Sequence, residues 1–367
     1  MRFRTLGKKC SLMSFNNSSP AGEDDDHHHH NHHHEQQPLL LLLNLWEPEG
    51  MAPLFIHPKG GGAKAMVAGQ VAMRPEFNEE CFWRCSYHGW LIMDIHQTIT
   101  LVNPFFPDIP RIDLPFHLPN TTNPSFVQLD TIILSAPPTT VGCLVLAISV
   151  GGIYLCKPGD ETWRLLGTVN TEGVRRWFEA GVWYEGKFYA FGSDGSLLVV
   201  DPLLPLEEED RMITLHQLEV PNGIVLTSSS LAHGVSVRPF LVEEGGVMMA
   251  ALKTAENMSP YELRNVDVLR LDLPNARWVK VDDIGSDRVL YLGGNGHTGP
   301  AEFRRIGSSC CKGNRVYVAG WDEDIAWYVF NMEDKSVEEG PQVDGLPHGG
   351  SYLSTCWVTP PLSFNCR

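Results

Sequence analysis

Long apolar runs are missing from this 367-residue chain. The most apolar stretch, Leu39 to Leu43, is far too short to cross a bilayer, and no apolar segment of signal-peptide length follows the basic start Met1 to Lys9. The sequence therefore predicts neither a membrane span nor a secretory leader. Helical periodicity is missing as well: past residue 37 no amphipathic helix of any length can be traced. Basic charge is scarce, with 28 Lys and Arg against 44 Asp and Glu and a formal net charge of −16. Such a surface repels phosphate backbones, and the only basic words are the pairs Arg175-Arg176 and Arg304-Arg305, so no nucleic-acid partner is expected. The nine Cys are odd in number and scattered, which argues against a disulfide framework and for a reducing compartment, cytoplasmic or nuclear. An Arg-containing, acid-free start, Met1 to Pro20, keeps an organelle-targeted chain as an alternative, and the acidic Glu23 to Asp26 counts against it.

What the chain does have is a repeated phrase. A turn containing Gly is followed by a short alternating run of aromatic, β-branched and small residues. Copies are Ser86-Tyr87-His88-Gly89-Trp90-Leu91-Ile92-Met93, Glu185-Gly186-Lys187-Phe188-Tyr189-Ala190-Phe191 and Lys312-Gly313-Asn314-Arg315-Val316-Tyr317-Val318-Ala319-Gly320. Looser copies start at Val141-Gly142-Cys143 and Gly245-Gly246-Val247. A period of two cut by Gly turns means short antiparallel strands, and their recurrence means an all-β fold of radially repeated units. The expected architecture is a β-propeller of six or seven four-stranded blades over residues 38–367. It is preceded by a disordered tail over residues 1–37, where an acidic run meets a His tract. Strands are expected at Ile99 to Val102, Phe126 to Leu134, Cys143 to Ser149, Gly152 to Lys157 and Trp163 to Leu166. A three-strand meander follows over Phe178 to Val200. Two fuller units come next, Val237 to Val281 and Val289 to Asn331, with Ser308 to Cys311 as one strand of the second. Pro48 to Gly62, Pro202 to Asp210 and Asn295 to Ala301 read as loops. Trp163 and Trp278 each follow a polar turn and open a strand, which predicts a ring wedged between neighbouring blades.

Candidate chemistry dissolves on inspection. The imidazoles of His27 to His30 and His32 to His34 could ligate metal, but a homopolymer has no fixed geometry or supporting shell. Cys81, Cys85 and His88 resemble half of a zinc site, with no second half at compatible spacing. Cys310-Cys311 would point to opposite faces of a strand. Gly293-Gly294-Asn295-Gly296-His297 lacks the following helix that a phosphate cradle needs. Asp322-Glu323-Asp324 matches no calcium loop and reads as a hairpin tip. No catalytic, cofactor-binding or metal residue is therefore assigned, and no cofactor is expected.

Taken in order, several words resemble the plant KIB-type β-propeller family, a plant domain of unknown function related to kelch F-box proteins. They are Pro38-Leu39-Leu40-Leu41-Leu42, then Arg84-Cys85-Ser86-Tyr87-His88-Gly89-Trp90-Leu91, Leu101-Val102-Asn103-Pro104-Phe105 and Ile112-Asp113-Leu114-Pro115. Further words are Glu185 to Ala190 with Val200-Asp201, Val268 to Asp272 with Trp278 to Val281, and Val316-Tyr317-Val318 with Tyr328 to Met332. The resemblance covers about residues 38 to 360. In that family an N-terminal F-box often docks a Skp–cullin ubiquitin ligase while the propeller holds the substrate. Residues 1–37 show no F-box pattern. The expected function is thus a non-enzymatic, monomeric protein-interaction module with a protein partner of unknown identity. The alternatives are a ligase substrate receptor with a degenerate F-box, an enzyme with its site at the channel mouth, and an organellar member of the same family.

Overall fold

The computed structural model describes residues 39–44, 54–57 and 66–70, and the span 81–359 apart from 120–128, 169–176, 205–211, 227–234, 257–262, 294–300, 306–311, 341–352 and shorter breaks. The expected disordered tail, residues 1–37 with its His tract, lies outside the described residues.

Alternating residues and Gly turns give strands throughout. Sheet I combines β1 (Leu39–Asn44), β2 (Leu54–His57), β3 (Met66–Gln70) and β25 (Leu353–Val358), in the order β25-β1-β2-β3. Sheet II is β4 (Cys81–Tyr87), β5 (Trp90–Ile95), β6 (Thr98–Val102) and β7 (Ile112–Asp113). Sheet III is β8 (Leu129–Leu134), β9 (Val145–Ser149), β10 (Gly152–Cys156) and β11 (Arg164–Gly167). Sheet IV is β12 (Phe178–Tyr184), β13 (Lys187–Gly192), β14 (Leu197–Val200) and β15 (Ile213–His216). Sheet V is β16 (Val235–Glu244), β17 (Val247–Glu256), β18 (Leu263–Asp272) and β19 (Arg277–Val281). Sheet VI holds β20 (Arg288–Leu292), β21 (Glu302–Arg305), β22 (Arg315–Asp322), β23 (Ile325–Asn331) and β24 (Val337–Glu339), in the order β21-β20-β22-β23-β24.

The fold is the expected all-β propeller, with a correction to its blades. Among the described residues five sheets are four-stranded, where the repeat spacing predicted six or seven such blades. Sheet VI departs from the pattern: it has five strands, and β20 runs parallel to β22. The reason lies in the third copy of the repeated phrase. His88-Gly89, Glu185-Gly186 and Gly245-Gly246 each place two successive residues at positive φ, the type I′ geometry that joins hairpin strands. At Lys312-Gly313-Asn314 the strand before β22 is not its hairpin partner. The Asn314 amide bonds the carbonyls of Gly285 and Arg288, and its Oδ1 accepts from the Ile284 amide at 3.0 Å. A Cβ at Gly313 would collide with the Ser286 carbonyl, so this glycine serves close backbone approach.

Long-range pairing closes the ring. All of β1 pairs antiparallel with β25, from Leu39 opposite Val358 to Asn44 opposite Leu353. The run Leu39 to Leu43 therefore sits between two partners, and β2 lies inside the segment 48–62 that reads as a loop. Trp357 of β25 meets Tyr291 of β20 edge-on, with ring centroids 4.9 Å apart, and Trp327 of β23 at 6.1 Å. On the other side the Ser86 hydroxyl of β4 donates to the Trp357 carbonyl. Arg84 donates to the Leu129 carbonyl at 2.9 Å, tying sheet II to sheet III. Among the described residues no helix is long and apolar enough to cross a membrane.

Both tryptophans singled out in the sequence fill seams between sheets. Trp163, buried, donates its indole N–H to the Pro115 carbonyl beyond β7 at 2.7 Å. Trp278, buried, donates to the Gly195 carbonyl in the β13–β14 turn at 2.9 Å and packs on Phe191, centroids 5.5 Å apart. A buried indole needs such an acceptor.

Candidate functional site

Most residues weighed in the sequence are structural or undescribed. Cys85 is buried in the core, and burial pushes its thiol up to about 12. Burial likewise raises Cys143, and it raises Cys156 above the thiol range. Thiols held protonated are poor nucleophiles and poor metal ligands. His88 occupies a left-handed turn position, φ 51°, so its place in the phrase is explained by the turn. The side chain of Cys81 lies outside the described residues, as do Cys310-Cys311, Gly294 to His297 and Glu323-Asp324. Asp322 ends β22 opposite Ile325, at a hairpin as expected. Among the described residues no three His, Cys, Asp or Glu come together as a metal site.

The chemistry that does converge sits where β21 meets β16. The Ala301 amide donates to the Leu241 carbonyl, drawing the two strands together at one end of the seam. Beside them is a cavity of about 280 Å³ lined by Val242, Glu243, Glu244 and residues 301–305. Its walls carry three carboxylates, Glu243, Glu244 and Glu302, and two guanidiniums, Arg304 and Arg305. Arg304 pairs with Glu302 and donates to Thr359 Oγ1, which itself donates to Glu302. The Arg304 charge is thus spent within the protein. Glu243 accepts from the Gly246 amide at 2.7 Å, which holds its carboxylate beside the hairpin turn. Glu244 lies 3.8 Å from Arg288.

This mouth of mixed charge continues onto the neighbouring blade, where Glu185 adds a fourth carboxylate. A Cβ at Gly246 would stand 3.5 Å from the Tyr184 hydroxyl, so the β16–β17 and β12–β13 turns share one end of the ring. Tyr184 donates to Glu185 at 2.8 Å, and that bond, with the charges of Glu185 and Glu243, pushes its phenol up to about 12. Antiparallel alternation puts the β14–β15 connection at the same end, where Leu203 is exposed. The β18–β19 connection instead reaches the β13–β14 turn through Trp278. The end of the ring therefore offers carboxylates, a tyrosine and an apolar side chain to solvent.

Of this set the sequence had offered only the Arg304-Arg305 pair, read there as a basic word too small to matter. Glu302 and Thr359 are far apart in the chain and meet only through the pairing of β21 and the closure by β25.

A family model fits this architecture. Residues 69–340 match the family model described as the KIB1-4 beta-propeller. No curated protein matches the chain. Among solved structures, the Cps50 (Swd1) beta-propeller domain of Myceliophteria thermophila is 12% identical, with 89% of this chain and 97% of that chain covered and a TM-score of 0.35. YCF48 from Cyanidioschyzon merolae is 13% identical, covering 62% of this chain and 64% of that one, TM-score 0.31. Glutaminyl cyclase from Myxococcus xanthus is 11% identical, covering 74% and 88%, TM-score 0.28. The chain spans less than two thirds of the length of the YCF48 chains it matches, 61% and 64%.

Proposed function

The chain belongs to the KIB1-4 beta-propeller family, and from that premise we propose that it is a non-enzymatic protein-interaction module. Its working surface is the acidic end of the ring. The observation that carries this reading is the cavity between β16 and β21, whose carboxylates stand beside the Glu185-Gly186 and Gly245-Gly246 turns. A binding site of this kind recognises a Lys- or Arg-bearing segment. Carboxylates on Glu243 and Glu244 accept its donors, and Leu203 supplies apolar contact at the same end. The partner is a protein and not a nucleic acid, since the net charge of −16 opposes phosphate. The module itself acts as a monomer.

The test is quantitative co-purification from the native tissue with the intact chain and with a Glu243→Lys/Glu244→Lys variant of unchanged circular dichroism. We expect a stoichiometric protein held by the intact chain and released by the variant, because like charges across an interface cost several kcal/mol. Equal recovery with both would overturn the assignment of this end.

A further inference from the structure

At the other end of the β16–β17 hairpin two cations face each other. Arg238 and Lys253 are direct cross-strand partners in the register of β16 and β17. Partners in that register put their side chains on one face of a sheet, and like charges there are destabilising. Lys253 is 96% buried by its 4% exposure, on the face shared with Phe240, Met249, Ala251 and Val266, which packs against sheet VI. Among the described residues it makes no hydrogen bond or ion pair, and Arg238 is the one charge acting on it. Glu179 of β12, itself half-buried, is a carboxylate that acts on Arg238. Burial pushes Lys253 down to about 8 and raises Glu179, so each group resists the charge that would balance the others.

A buried ammonium is retained only when something offsets its desolvation. Arg238 is half-buried and stands opposite Lys253 in the register, so the pair of cations is approached from the Arg238 side. We propose that Arg238 and Lys253 form a site for a small oxyanion, a phosphate- or carboxylate-bearing molecule, entering from the Arg238 side of the seam between sheets V and VI. The guanidinium binds two oxygens in plane and the ammonium approaches as a point charge from the apolar face. The Glu179 carboxylate of β12, which acts on Arg238, competes with the ligand for the guanidinium.

The experiment measures thermal midpoints of the full chain in sodium phosphate, in sodium acetate and in sodium chloride at matched ionic strength. We expect phosphate, acetate or both to raise the midpoint above the chloride value in a saturable way. The rise should vanish in Lys253→Met and shrink in Arg238→Gln. Phosphate without acetate identifies phosphate-bearing ligands; acetate without phosphate identifies carboxylates. Midpoints equal in all three salts would overturn the proposal, and so would a rise that persists in Lys253→Met. Should Arg238→Gln fail to fold, Glu179→Gln replaces it: removing the competing carboxylate should tighten the half-saturating concentration, and no change would count against the site.

Discussion

Tyr87 spans an unusual distance for a single side chain. It leaves the end of β4 in sheet II and donates to the Gly181 carbonyl of β12 in sheet IV at 2.7 Å, buried throughout. A Cβ on Gly181 would strike the Ile133 side chain, so the glycine serves the close approach of β8 to β12. Tyr87→Phe should cost about 1 kcal/mol plus the penalty of a bare buried carbonyl, read from denaturant midpoints at constant slope. Trp278→Ala is more severe, at about 3–5 kcal/mol, because it opens the seam between sheets IV and V as well as freeing the Gly195 carbonyl. Mostly insoluble or protease-sensitive protein is the expected outcome, and a normally folded variant would mean that the indole does not hold that seam. Lys253 makes a prediction in pH. Its folded pKa, about 8, lies below the ordinary lysine value of 10.5, so the folded state loses the proton first as pH rises. Below pH 8 the buried charge destabilises in full, by about 3 kcal/mol. Between pH 8 and 10.5 the unfolded chain holds more protons and stability recovers. Lys253→Met should therefore be more stable than the parent at pH 7, with the gap closing toward pH 10.5; a gap independent of pH would contradict the burial of a charged amine. Buried thiols such as Cys85 push the other way above pH 9, but they are common to both proteins and cancel in the comparison.

At the scale of elements, what could be read from the residues depended on whether pairing was local. The hairpins β4–β5, β12–β13 and β16–β17 were legible because each carries its own turn chemistry and an alternating apolar face. β21 was not, since Glu302-Phe303-Arg304-Arg305 is charged on nearly every position and looks solvated; it is a strand because β20 pairs with all of it. β24, Val337–Glu339, escaped for the same reason. β2 hid in a Gly- and Pro-rich stretch. The β1–β25 pairing joins residues at opposite ends of the folded region, and no local pattern encodes a partner so distant. The candidate site shares that fate. Glu243 and Glu244 only precede the Gly245-Gly246 turn, and Lys253 only follows an apolar strand, so nothing local marks them. Only the packing of β16 on β21 and of sheet V on sheet VI changes their meaning. Deleting residues 353–367 should expose the edge of β1 and strip Trp357 from Tyr291. Hydrogen exchange would then speed up through β1, β2 and β4 ahead of β12 to β14. Uniform exchange across all sheets would mean that closure contributes nothing local.

For the whole molecule, the division of labour is between seams that hold the ring and turns that face solvent. The seams carry the indoles, the cross-blade hydrogen bonds and the apolar clusters. The turns at one end carry Tyr184, Glu185, Glu243 and Glu244, and the β14–β15 connection brings Leu203 to the same end. The central claim is that this end holds a protein partner. Hydrogen–deuterium exchange of the chain with and without the protein it retains on co-purification tests it most directly. The account predicts slowed exchange at Glu185-Gly186, Glu243 to Gly246 and Glu302 to Arg305, with the β13–β14 turn at the opposite end unchanged. Protection centred on Ser193 to Ser196, with none at Glu243 to Gly246, would contradict it.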